Sequence, residues 1–229
     1  MKITAFTMAV SFLLLVCLAK AQDCSSSFSL TKEGTKLGMT SYDKNGKETG
    51  KSFTSLVSMR KNGTVTEYSL KSEITDSKGK IRTMDYTATC DGDKVSVSMK
   101  SFLPSDLQKS SGGADMQVEG NNIIFPNSVT IGEKLNDGNI TMTVSVGTMT
   151  MKTKVNIINR SVTGKESVTT SAGTWDCYKI EYNIETTVMN MTTKGKVRQW
   201  IAKGIGTVKS ENYSEKGDLT GYSQVTSIN

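Results

Sequence analysis

Trp175-Asp-Cys-Tyr-Lys-Ile-Glu-Tyr-Asn-Ile-Glu-Thr-Thr-Val188 is the stretch whose reading decides the fold. Tyr178, Ile180, Tyr182 and Ile184 stand at every second position, with Lys179, Glu181 and Asn183 between them. A period of two belongs to an extended strand with one apolar face, because helical neighbours would recur at three and four. The stretch runs for 14 residues, more than double the usual strand of about 5 to 6. Strands of that length suit a barrel-like, strongly curved sheet better than a compact sandwich.

The same alternation extends to both sides. Downstream it recurs in Lys196 to Ala202, Gly206 to Tyr213 and Leu219 to Ile228; upstream, Ser167 to Thr170 enters a turn at Ser171-Ala172-Gly173. Thr64 to Ile74, Ile81 to Cys90 and Asp93 to Met99 form a further series. The turns share an idiom: Tyr42-Asp-Lys-Asn-Gly46, Asp76-Ser-Lys-Gly79 and Tyr213-Ser-Glu-Lys-Gly217. The glycine supplies the positive φ that a tight hairpin needs. Met142, Val144 and Val146 share one parity, and the pattern slips at Gly147 to Met149, Met151, Val155 and Ile157, which marks a bulge or a tight turn. Only Pro104 to Lys109 departs from strand chemistry, with Ser105 or Asp106 placed to cap a short helix ending near Gly112. The expected fold is all-β and mainly antiparallel: a strongly curved sheet or open half-barrel of long strands joined by hairpins, with at most one short helix.

Residues 1–21 read as a secretion signal. Lys2 gives the positive start, Ala5 to Ala19 the apolar run, and Ala19-Lys20-Ala21 the small residues read at cleavage. Residues 22–229 are then one β-rich domain. Neither Cys17, after Val16, nor Cys24, after Asp23, has the small residue before it that a lipid anchor requires. No later stretch approaches the roughly 18 apolar residues of a membrane helix. A periplasmic or secreted protein with no transmembrane segment is expected.

Loss of Lys2 and Lys20 leaves 26 basic against 22 acidic residues, a net of +4 spread without long runs. That is too mild a charge for a nucleic-acid binder. Cys24, Cys90 and Cys177 survive cleavage, so an oxidising compartment implies one disulfide and one odd thiol. Cys90 shares the apolar parity of Met84, Tyr86 and Ala88, while Cys177 falls opposite Tyr178 and Ile180. The expected bridge is Cys24–Cys90, pinning the N-terminus to the sheet; pairing of Cys177 with either, or three free thiols, stays open.

Catalytic signatures are sparse. The chain has no histidine, which removes the usual general base, the usual zinc ligand and every Ser-His or Cys-His pair. Ser29 to Lys32 and Ser41 to Lys44 match Ser-x-x-Lys without opening a helix, and Gly50-Lys51-Ser52 opens an alternating strand where a phosphate loop needs a helix N-terminus. Asp43 to Gly46 and Asp91 to Asp93 are too short for a calcium loop and read as hairpin turns. No cofactor or metal is implied. A glycosidase-like carboxylate pair would need acids from distant strands, and nothing selects one.

The mature chain holds ten methionines. Met84, Met99, Met142, Met149, Met151 and Met189 are the candidate ligand contacts, since a flexible, polarisable side chain adapts to irregular apolar ligands. Trp175, opening what reads as the longest strand, and Trp200 are expected to anchor packing.

Asn159-Arg-Ser-Val-Thr-Gly-Lys165 through Ala172-Gly-Thr-Trp-Asp-Cys177, then Trp200-Ile-Ala-Lys-Gly-Ile-Gly206 and Tyr213 to Ile228, resemble the TapB-like family of exported bacterial proteins. More distantly the chain is similar to the lipoprotein-carrier superfamily. That resemblance implies a curved antiparallel sheet with an apolar concave face, often closed by a helix. The expected function is a non-enzymatic envelope protein binding a lipid or other apolar or amphiphilic molecule on that face. The alternative is a cell-surface protein recruiting a protein or glycan partner through its turns.

Overall fold

The computed structural model describes Cys24, residues 27–98 and residues 114–229. The signal segment, Met99 and the helix expected from Ser105 to Gly112 lie outside these residues. Thirteen strands occur among the described residues: β1 Lys36–Asp43, β2 Glu48–Asn62, β3 Val65–Asp76, β4 Ile81–Cys90, β5 Lys94–Val97, β6 Ala114–Gly120, β7 Ile123–Pro126, β8 Gly138–Val146, β9 Met149–Thr170, β10 Gly173–Val188, β11 Met191–Ala202, β12 Gly206–Ser214 and β13 Leu219–Ile228. All pair antiparallel in one sheet, ordered β6-β8-β9-β10-β11-β12-β13-β1-β2-β3-β4-β5-β7. The hydrogen-bond ladder does not close into a barrel, so the all-β, curved and open expectation holds. The longest strand is β9, with 22 residues, and not the 16-residue β10 that Trp175 enters.

Curvature follows from how the edges are joined. β6 and β7 stand at opposite ends of the ladder, yet only Asn121 and Asn122 separate them in the chain. The sheet must therefore curl until its two edges meet there. Asn121 N donates to Asn139 O at 3.1 Å, Asn139 N donates to Asn121 Oδ1 at 2.6 Å, and Asn122 Nδ2 reaches Ser96 Oγ at 2.9 Å, tying the seam to both flanks. Bulges sharpen the bend, as they do in barrels. β9 carries one around Asn159, whose φ is 57°. The slip foreseen at Gly147 is a tight hairpin turn, with Val146 opposite Met149 and Gly147 at φ 58°.

The turn idiom works through side chains as well as glycine. Asp43 Oδ1 accepts from the backbone N–H of Asn45 and Lys47, and Asp76 Oδ1 accepts from Lys78 and Lys80, at 2.8 to 3.0 Å. Ser214 Oγ takes the same place in the third turn, accepting from Asp218 N at 3.2 Å. These oxygens serve their own hairpins. Gly50 and Ser52 lie within β2, in keeping with a strand and not a phosphate loop.

The core fills the curl. Leu56, Tyr68, Leu70, Val95 and Val225 pack with Cys90 on one side, and Phe28, Val162, Ile180 and Ile201 on the other. A third cluster joins Cys177, Trp200, Ala202 and Val208. β10 thus buries residues of both parities, Cys177 on one and Ile180 on the other. Cys24 is bonded to Cys90 with Cα atoms 5.9 Å apart, and Cys177 is free and buried. Tyr68 Oη adds a bond to Cys24 O at 3.1 Å. Gly173, at φ 147°, lets the Trp175 ring lie across it, where a Cβ would sit 3.2 Å from Cζ2.

Candidate ligand cavity

The concave face lines a half-open cavity of about 420 Å³, within the range of roughly 300 to 1,000 Å³ typical of small-molecule sites. Side chains from ten strands reach it, among them Leu37 of β1, Leu70 of β3, Val97 of β5, Ile123 of β7 and Ile157 of β9. Distant strands converge because the ladder curls, and their apolar parity points inward. Phe28 and Leu30, on the segment that Cys24 anchors, close one part of the wall, and Phe28 meets the Tyr178 ring edge-on at 5.8 Å. Ser27 O accepts from Gly204 N at 2.8 Å, holding this segment across the sheet.

A few polar groups interrupt the apolar lining: Thr54, Tyr86, Tyr182, Gln199, Thr207 and, above all, Arg160. Arg160 is 3% exposed. Nη1 donates to Ile124 O at 3.1 Å and to Asn136 O at 2.5 Å, and the guanidinium lies 4.8 Å from the centre of the Phe125 ring. It therefore joins β9 to β7 and to the chain after it across the seam. Burial pushes its pKa down, and the charges of Tyr182 and Asp137 act in the opposite direction. Burial raises the Tyr182 phenol, which the Arg160 charge partly offsets.

Of the methionines singled out from the sequence, the five described ones, Met84, Met142, Met149, Met151 and Met189, do not line this cavity. Met149, Met151 and Met189 are exposed at the tip of the β8–β9–β10 arm, beside exposed Val188 and Met191. Met84 and Met142 are half-buried and lie outside the cavity lining. The methionine that does line it is Met39 of β1. Around this cavity the fold brings together Leu, Ile, Val, Tyr and one arginine. Trp200 is buried, its Nε1 donating to Glu166 Oε1 at 2.5 Å, and Trp175 is half-buried against two core clusters.

Outside the cavity, several charged groups form a surface network. Arg198 donates to Glu181 Oε1 and to Tyr213 Oη, both at 3.1 Å; Tyr213 in turn donates to Glu211 Oε2 at 2.5 Å, and Lys209 pairs with Glu211 at 2.7 Å. Burial would raise Glu211, but the bonds from Lys209 and Tyr213 outweigh it and hold the carboxyl down. The bonds to Lys80 and Lys78 lower Asp76, and those to Lys94 and Asp93 lower Asp91 against its desolvation. A general acid needs the opposite shift. Among the described residues no cluster of three or more Cys, Asp or Glu side chains is arranged to hold a metal.

The buried Cys177 thiol is held in its protonated form at neutral pH. Burial, with Asp176 and Glu166 nearby, pushes its thiol up to about 11. Its proton is thus held more tightly folded than unfolded, where the ordinary value is 9.0. The associated stability is full below pH 9 and falls as pH rises toward 11, by up to about 2 to 3 kcal/mol. Urea melts between pH 8 and 11 should show this loss, and Cys177→Ala should remove that part of the slope. At pH 8 iodoacetamide should label Cys177 only after unfolding.

A family model described as DUF3108-like matches residues 32–225. The chain belongs to the DUF3108-like family. Among solved structures, this DUF3108-like chain is similar to a "putative exported protein with YmcC-like fold" from Bacteroides fragilis, with a TM-score of 0.72 and 23% identity over 89% of this chain and 99% of that one. It is also similar to a "putative lipoprotein" from Parabacteroides distasonis, with a TM-score of 0.72 and 22% identity over 91% and 100% of the two chains. These likenesses show the shared fold. No curated protein matches the chain.

Proposed function

We propose that this DUF3108-like protein is an exported, non-enzymatic component of the bacterial envelope that holds an apolar or amphiphilic ligand inside the curl of its sheet. The cavity carries the reading: a concave apolar wall built from ten strands with a few convergent polar groups is the general form of a ligand site. Two structural relatives are described as an exported protein and a lipoprotein, which supports the envelope. The TapB-like and carrier-like resemblance of the Asn159 to Ile228 block supports the ligand class. Protein purified from its own periplasm and examined by native mass spectrometry should carry a lipid-sized adduct that organic extraction removes. Protein that is adduct-free and binds none of a panel of alkyl amphiphiles overturns the reading.

One observation favours a second reading, an interaction protein at the cell surface. Met149, Met151, Val188, Met189 and Met191 expose an apolar patch at the tip of one arm, away from the cavity, and such patches mark partner surfaces. A pull-down from envelope extracts separates the two: a partner lost on M149K/M191K, with the cavity empty, selects the surface role.

A further inference from the structure

We infer that the cavity selects amphiphiles with an anionic headgroup, a carboxylate or a phosphate, and that Arg160 is the residue that binds it. This deepens the ligand-binding reading and rests on it. Arg160 is the one charged side chain among the described residues lining the cavity. It forms no ion pair with a carboxylate among the described residues. The Asp137 charge acts on it without forming an ion pair, and a buried guanidinium is costly unless it is paired or fully hydrogen-bonded. Here both hydrogen bonds to described residues come from Nη1. Nη2 and Nε keep donor capacity, in the fork geometry that fits an oxyanion.

A purely structural role explains only half of this arrangement. Spanning Ile124 O and Asn136 O calls for an amide donor, which a neutral glutamine also supplies, and does not call for a charge. Tyr182 supplies a second donor to the same cavity: its ring lines the space beside Arg160, and its hydroxyl bonds to no described residue. The remaining wall is largely apolar, from Leu30 and Leu37 to Ile123 and Ile157, with Thr54, Tyr86, Gln199 and Thr207 set into it. One cation beside a phenol, on a largely apolar wall, matches a molecule with one oxyanionic end and one alkyl end.

The test compares headgroups on one chain length by calorimetric titration of the full mature protein: decanoate, decyl phosphate, decanol and decyltrimethylammonium. A charge-assisted hydrogen bond in a desolvated site is expected to favour the anions over decanol by roughly tenfold to a hundredfold. The cation should bind weakest. Decanoate above decyl phosphate indicates a fatty-acid-like ligand, and the reverse order a phospholipid-like one; either supports the inference. In R160Q the decanoate preference should vanish while decanol binding stays within about threefold, and R160K should keep part of the preference. Equal affinity of the wild type for decanoate and decanol overturns the inference and leaves the apolar cavity reading intact, as does R160Q retaining the preference. Binding of none of the four overturns both. Should the Arg160 variants fail to fold, the headgroup order in the wild type and a weaker anion preference in Y182F still decide the question.

Discussion

Replacement of both bridged cysteines, C24A/C90A, should lower stability by about 4 kcal/mol, because a disulfide of this span removes that much chain entropy from the unfolded state. The bridge joins residues 66 apart in sequence. The native state also loses: Cys90 is fully buried beside Leu56, Tyr68 and Val95, and Asn127 Nδ2 donates to its Sγ at 3.3 Å. The anchored segment carries Phe28 and Leu30 into the cavity wall, so its release should open the cavity as well. A fall in melting temperature of about 10 °C is expected for a chain of this size, together with weaker binding of alkyl ligands. Thermal melts of the oxidised protein against the double variant check it; coincident melts would remove the bridge from the list of stabilising contacts.

Trp200→Ala should be comparably severe, on the order of 3 to 5 kcal/mol. The indole packs with Cys177, Ala202 and Val208, lies 4.8 Å under the Lys209 ammonium and donates to Glu166. Trp200→Phe separates these parts, keeping most of the volume and losing the Nε1 bond, and should cost about 1 kcal/mol. Urea unfolding of both variants measures the difference. If Trp200→Ala melts like the parent and loses glycan binding instead, the residue belongs to a recognition surface.

The strands were legible because their chemistry is local. Alternation of Tyr178, Ile180 and Tyr182, the Asp-x-x-Gly turns and the slip at Gly147 each act over a few residues, and each has its counterpart in the sheet. The weakly patterned β6 and the four-residue β7 were not legible. Their placement at opposite edges depends on pairing with β8 and β5, and nothing in Ala114 to Pro126 encodes those partners. Arg160 was hidden for another reason. Counted by twos from Ile157, it falls on the outer face. The bulge at Asn159, a residue type that tolerates positive φ, shifts the phase, so that Ile157 and Arg160 both reach the cavity. An asparagine ahead of a charged residue within an apolar alternation was the available signal. The exposure of Met149, Met151 and Met189 was not legible either, because no local pattern records how far β9 and β10 extend past their neighbours.

The junction at Asn121 and Asn122 also bears on solubility. An open sheet ordinarily offers two rows of unpaired amides to any passing strand, which is the route to edge-to-edge polymerisation. Here the terminal strands have only seven and four residues, and the shorter one ends at Pro126, which has no N–H to offer. The Ile124 carbonyl is already occupied by a guanidinium. An incoming chain at either border would soon run into the turn that links the two, so a sheet that never closes its ladder is still a poor template for its own aggregation.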